Sequence, residues 1–165
     1  MQELIEAMIV ESDNSVVPLL VKNLNPDFYE KVLLDLQVHI PVAAQGGINA
    51  DFFSVVTYAS ILRGLYNSSY LQSEYSERIL ELMSKSTFKE GLVRGIPVGT
   101  VISHKFGEVS AVDAATGKTQ KVELHDCGII YRKDNPYIIC ISTEGDSFAD
   151  LAKVLADISR IIWND

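Results

Sequence analysis

The sequence predicts an α+β fold: a helical half followed by an antiparallel sheet, three strands here, with a C-terminal helix packed on it. Three observations carry that prediction. Apolar residues recur at helical spacing through most of the first 97 residues, the spacing changes to that of strands after Gly99, and the last eighteen residues return to helical spacing. With 165 residues, 47% of them hydrophobic, 22% charged and only five prolines, the chain is long and apolar enough to bury a core. Residues 1–97 are expected to form the helical part and residues 98–165 the sheet and C-terminal helix of one domain.

Leu4, Ile5, Met8 and Ile9 mark a first helix that no capping residue precedes. After the polar break Glu11–Asn14, a second short run carries Val16, Val17, Leu20 and Val21. Asn25 is placed to cap a third helix, with Pro26 at its first position and Phe28, Val32, Leu33 and Leu36 on one face. Periodicity lapses between residues 38 and 50, around Pro41 and Gly46-Gly47, which marks a loop. Asn49 to Asp51 then offers capping chemistry for a helix bearing Phe52, Val55, Val56, Ala59, Leu62 and Leu65. A further helix runs from about Gln72, with Ile79, Leu80, Leu82 and Met83 as its stripe, and Phe88 to Pro97 reads as a short helix and turn.

Strands are expected at Thr100–Val109, Lys121–Tyr131 and Tyr137–Thr143, joined by turns at Asp113–Gly117 and Lys133–Pro136. Gly145-Asp146-Ser147 opens the final helix, whose apolar face is Leu151, Val154, Leu155, Ile158, Ile161 and Ile162.

The formal net charge of −8 argues against nucleic acid or an anionic membrane surface as partner, because both require a basic patch. The longest apolar runs are strand-length, so no membrane span is predicted, and no basic region followed by an apolar stretch marks a signal peptide. His39, His104 and His125 share no metal-ligand spacing with the cysteines, so neither a metal nor a cofactor is expected. Cys127 and Cys140 lie on neighbouring predicted strands. A cross-strand disulfide is conceivable, but two buried thiols are the preferred reading.

Two short motifs carry chemistry. Ser12-Asp13-Asn14 lies between two helices; these residue types are also the usual helix caps. Lys105-Phe106-Gly107-Glu108 lies on the first predicted strand, where a lysine also serves simply to protect a sheet edge. Their order and context resemble the penicillin-recognising serine hydrolases, the class A β-lactamase and transpeptidase-like family. In order come Ser-Asp-Asn, several helices, the segment 90–97, the Lys105 strand, the hairpin through His125 and Asp126, the strand from Pro136 and the terminal helix. The resemblance covers essentially the whole chain.

The resemblance implies a β-lactam or peptidoglycan-like peptide as ligand. It gives the Ser12 hydroxyl a part in proton shuttling, Asn14 a hold on the substrate amide, and Lys105 positive potential for a substrate carboxylate. Ser12, Asn14 and Lys105 are the catalytic candidates; Asp13, Phe106, Gly107 and Glu108 are the substrate-binding ones. Gly107 would let the substrate backbone lie along the strand, and the backbone N–H of Glu108 would donate to an oxyanion. An extracytoplasmic location is likewise implied by the resemblance alone.

Two departures bear on mechanism. Phe106 stands where the family carries threonine or serine, removing a hydroxyl whose hydrogen bond to a carboxylate would contribute about 1.5–3 kcal/mol; the alternative is a plain apolar strand residue. Residues 37–49 contain no acid, whereas class A β-lactamases hold a glutamate there that activates the deacylating water. His39 is expected to be a loop or packing histidine rather than a substitute base.

The family's nucleophile lies in a Ser-x-x-Lys upstream of Ser-Asp-Asn, yet no serine precedes Ser12. The one Ser-x-x-Lys present, Ser86 to Lys89, falls downstream and reads as a bystander. The chain is therefore expected to be a C-terminal part, inactive alone, with strand 137–143 left as an unpaired edge. An N-terminal segment of the same protein or self-association through that edge would complete it. The alternative function is a non-catalytic binding or scaffold protein that retains the fold.

Overall fold

A computed structural model describes residues 1–38, 54–112 and 119–165. Among the described residues five α-helices come first: α1 (Gln2–Val10), α2 (Val17–Lys22), α3 (Pro26–Asp35), α4 (Val55–Tyr66) and α5 (Ser73–Ser84). A 3-10 turn, Leu92–Gly95, leads to β1 (Ile102–Val112), β2 (Thr119–Ile130) and β3 (Tyr137–Gly145), and α6 (Phe148–Asn164) ends the chain. Strand order is β1-β2-β3, antiparallel throughout. The architecture is the α+β arrangement expected, with α6 packed on the sheet.

Local chemistry sets the helix starts. Asn25 Oδ1 accepts the Phe28 N–H at 3.0 Å with Pro26 at the first helical position, as the sequence predicts for α3. Ser54 Oγ accepts the Thr57 N–H at 3.1 Å and caps α4. The cap expected at Asn49–Asp51 lies outside the described residues, as do Phe52, His39 and the turn Asp113–Gly117. Ser147 Oγ receives the Asp150 N–H at 3.4 Å and starts α6.

Alternation along the strands gives the sheet two unlike faces. One packs against α4 and α5: Cys127 and Ile129 meet Leu62, Leu80 and Met83, with Ile138 and Cys140 alongside. The other packs against α6, where Val122 and Leu124 meet Leu151, Ala152, Leu155 and Phe88. Toward the Ile130 end of the same face, Ile102, Ile130 and Ile139 enclose Leu92 and Ile96. Each fully buried leucine or isoleucine here contributes about 1.5–3 kcal/mol of transfer free energy.

The preferred reading of the cysteines is corrected by the structure: Cys127 and Cys140 form a disulfide. The hairpin register places them directly opposite each other, with Cα atoms 4.1 Å apart. At that close pairing the two Cβ atoms share one face of the sheet, the geometry a cross-strand bridge needs.

Candidate active site

The site forms where α1 ends beside β1. The Ala7 carbonyl accepts both the Glu11 and the Asp13 N–H at 3.1 Å, and the chain between them turns through Ser12 at φ 57°. Left-handed backbone at a residue with a Cβ costs on the order of 1–3 kcal/mol, and such strain concentrates at functional sites. The turn aims the Ser12 hydroxyl at the Lys105 ammonium, which donates to Ser12 Oγ across 93 positions of sequence.

The neighbours of Ser12 have separate duties. Asp13 Oδ1 accepts the Ser15 N–H at 2.9 Å and caps the 3-10 turn Asn14–Val16. Hydrogen bonds from Ser15 hold the Asp13 carboxyl below its ordinary value. Asn14 is exposed at the first position of that turn. Ser12 and Lys105 are thus brought together, while Asp13 is engaged as a cap.

Lys105 is half-buried on the face of β1 that looks toward the helical half. Besides Ser12, its Nζ donates to the Phe106 carbonyl at 3.1 Å and sits 5.0 Å from the Phe106 ring centroid. Burial lowers the affinity of this amine for its proton, against an opposing pull from Asp126. Phe106 turns to the other face and stacks on Phe88 with centroids 4.1 Å apart and planes at 23°. Phe148, at the start of α6, meets Phe88 edge-on at 6.1 Å.

At Gly107 the chemistry is one of close approach: a Cβ there would lie 2.3 Å from His125 Cε1. The glycine thus admits the imidazole, which lies on the same side of the sheet as Lys105 with Tyr58 edge-on at 6.1 Å. Burial, reinforced by Lys105, lowers the His125 proton affinity, while Asp126 and Glu123 pull the other way. Burial likewise pushes the Tyr58 phenol up. Glu108 follows on β1 with its side chain exposed, accepting the Ser110 hydroxyl at 3.0 Å.

Beneath the site lies a buried pair that sequence reasoning missed. His104 Nδ1 and Asp126 Oδ1 are 2.9 Å apart, both side chains wholly buried. Asp126 Oδ2 accepts the Leu92 N–H at 3.0 Å, and a Cβ on Gly91 would come within 2.5 Å of that oxygen. The pair ties β1, β2 and the 3-10 turn together immediately before Lys105. Its signal in the sequence is a polar residue at an inward position of each otherwise apolar strand.

Ser86 is buried in the turn after α5 while Lys89 is exposed, and no helix joins them. Among the described residues, no group of three or more His, Cys, Asp or Glu could hold a metal ion. No described helix is long and apolar enough to cross a membrane.

Solved structures share this fold. The TLA-3 extended-spectrum β-lactamase superposes with a TM-score of 0.80 at 21% identity, covering 98% of this chain and 62% of its own. A β-lactamase from Chitinophaga pinensis gives 0.77 at 20%, with 98% and 63% covered. A variant of PBP-A, solved as an acyl-enzyme complex with penicillin G, gives 0.74 at 17%, with 98% and 60% covered. The chain thus spans about three-fifths of the length of these structures. None of the curated proteins compared with it by sequence matches. The model of the β-lactamase enzyme family matches residues 1–165, and the chain belongs to that family.

Proposed function

We propose that Ser12, Asn14 and Lys105 form the non-nucleophilic half of a serine acyl-transfer site that recognises β-lactams or peptidoglycan-type peptides. A segment bearing Ser-x-x-Lys would complete it. The observation that carries the reading is the Lys105–Ser12 hydrogen bond. It joins the two motifs and is bought with left-handed backbone at Ser12. In this arrangement the Lys105 ammonium orients the Ser12 hydroxyl and adds positive potential, and the hydroxyl passes a proton between nucleophile and leaving group. Asn14, exposed at the mouth, holds the substrate amide. Gly107 lets the acyl donor lie along β1, and the Glu108 N–H donates to the developing oxyanion.

Residues 37–49 carry no acid to activate a deacylating water, so the acyl-enzyme is expected to persist. That behaviour suits a transpeptidase or carboxypeptidase better than an efficient β-lactamase. The Cys127–Cys140 disulfide supports an oxidising, extracytoplasmic location.

The test is covalent labelling of the protein, as its gene encodes it, with a fluorescent penicillin. The expected result is a stable adduct released by hydroxylamine, formed roughly 100-fold more slowly in Ser12→Ala. Failure of the intact protein to be labelled overturns the acyl-transfer reading.

A further inference from the structure

Gly107 and His125 are paired across β1 and β2, so their side-chain positions share one face of the sheet. Glycine leaves its place empty and the imidazole takes it: a Cβ on Gly107 would lie 2.3 Å from Cε1 and 2.5 Å from Nε2. A second ring backs the first, since Tyr58 of α4 meets the imidazole edge-on at 6.1 Å with the planes at 70°. Glycine inside a strand weakens it, and a ring laid across it from the neighbouring strand restores the lost packing. The need is greater at Gly107 because β1 lies at an edge of the described sheet, paired there with β2 alone.

We propose that His125 is a positioning residue: backed by Tyr58, its ring holds the β1 backbone at Gly107, and with it the Glu108 N–H, where an acyl donor must lie. The assignment deepens the acyl-transfer reading and rests on it for the identity of the ligand. At neutral pH the ring does this as an uncharged plate. Around it stand Lys105 on β1, Tyr58 on α4, and Asp126 and Glu123 on its own strand, while the residue paired with it on β3 is the uncharged Ser142. Burial, reinforced by Lys105, disfavours the imidazolium against the pull of the two acids. A proton on the ring puts a second cation beside Lys105 and draws the imidazole toward water, away from Gly107. Acid therefore releases the β1 backbone from its support.

The experiment follows the protein, as its gene encodes it, by NMR and by fluorescent-penicillin labelling across pH. The Gly107 α-proton signals are expected to titrate together with the His125 ring protons, at a midpoint below the ordinary imidazole value of 6.5. His125→Ala removes the ring and should slow labelling about tenfold at neutral pH. His125→Phe keeps a flat ring that gains no proton. It should recover labelling to within about threefold of the unsubstituted rate at neutral pH, and overtake that rate below the His125 midpoint. Its Gly107 signals should no longer follow that midpoint.

Gly107 signals that ignore the His125 titration, or His125→Ala labelled as fast as the unsubstituted protein, overturn the assignment. So does His125→Phe losing rate in acid in step with the unsubstituted protein. A lower unfolding midpoint in His125→Ala with the labelling rate of the folded fraction intact also counts against a positioning role. If the unsubstituted protein is not labelled at any pH, the acyl-transfer reading falls. The Gly107 titration, present in the unsubstituted protein and lost in His125→Phe, then still decides whether the ring holds the β1 backbone.

Discussion

At the scale of single residues, the site depends on polar groups held where water is scarce. His125 lies against Gly107, Tyr58 and the Lys105 side of the sheet, with Asp126 and Glu123 as the acids acting on it. Burial, then Lys105, depress its proton affinity in the folded state, so protonation is harder folded than unfolded. The stability it supports is complete above the unfolded value of about 6.5 and is lost as pH falls through the lower folded value. The urea midpoint is therefore expected to decline as pH falls below about 6.5, and His125→Asn should flatten that decline. An unchanged slope in the variant would assign the decline to other groups.

Asp126 tests the buried pair. Asp126→Ala strips the partner from both His104 and the Leu92 N–H, so a loss of roughly 3 kcal/mol is expected. Asp126→Asn keeps an acceptor for Leu92 and should lose less. Ser12 and Lys105 were legible as residue types in the sequence, but this pair was not. Its two halves sit 22 positions apart, and only the β1–β2 register brings them together.

At the scale of elements, periodicity located the helices and strands because each buries one face, and capping side chains such as Asn25 marked the boundaries. The preference for free thiols failed for a different reason. Pairing Cys127 with Cys140 depends on how residues 131–136 close the hairpin, and Ile130 opposite Tyr137 sets a register that residue types alone do not specify. The bridge joins β2, which carries His125 and Asp126, to β3 across 13 positions. Closing a loop of that length stabilises by about 3 kcal/mol in the chain-entropy view. Reduction, or the Cys127→Ala/Cys140→Ala double variant, is expected to lower the urea-derived stability by about that amount. Iodoacetamide should modify neither cysteine before reduction and both after denaturing reduction; alkylation of the untreated protein would contradict the bridge.

For the molecule as a whole, the described sheet leaves β1 and β3 at its two edges. Near its far end β3 carries a charged guard, since Lys121 reaches Glu123 at 2.8 Å and Glu144 at 2.7 Å. Its first half, Tyr137–Ile141, is apolar and has no such guard on the strand itself. The helical half adds exposed apolar side chains: Leu19 and Val21 on α2, Leu24 after it, and Phe28 and Leu34 on α3, the last two 60% and 65% accessible. An unguarded edge and exposed apolar side chains both favour association over a solvated surface. The chain by itself is therefore expected to bind an apolar dye and to elute as more than one copy by size-exclusion chromatography with light scattering. Ser142 is exposed on the edge strand, so Ser142→Lys should shift the population toward the monomer with little change in thermal midpoint. A monodisperse monomer that ignores the dye would mean that the edge and the apolar helical face are satisfied within the chain. Loss of the dye signal on adding a segment that pairs with β3 would instead identify that edge as a docking surface for that segment.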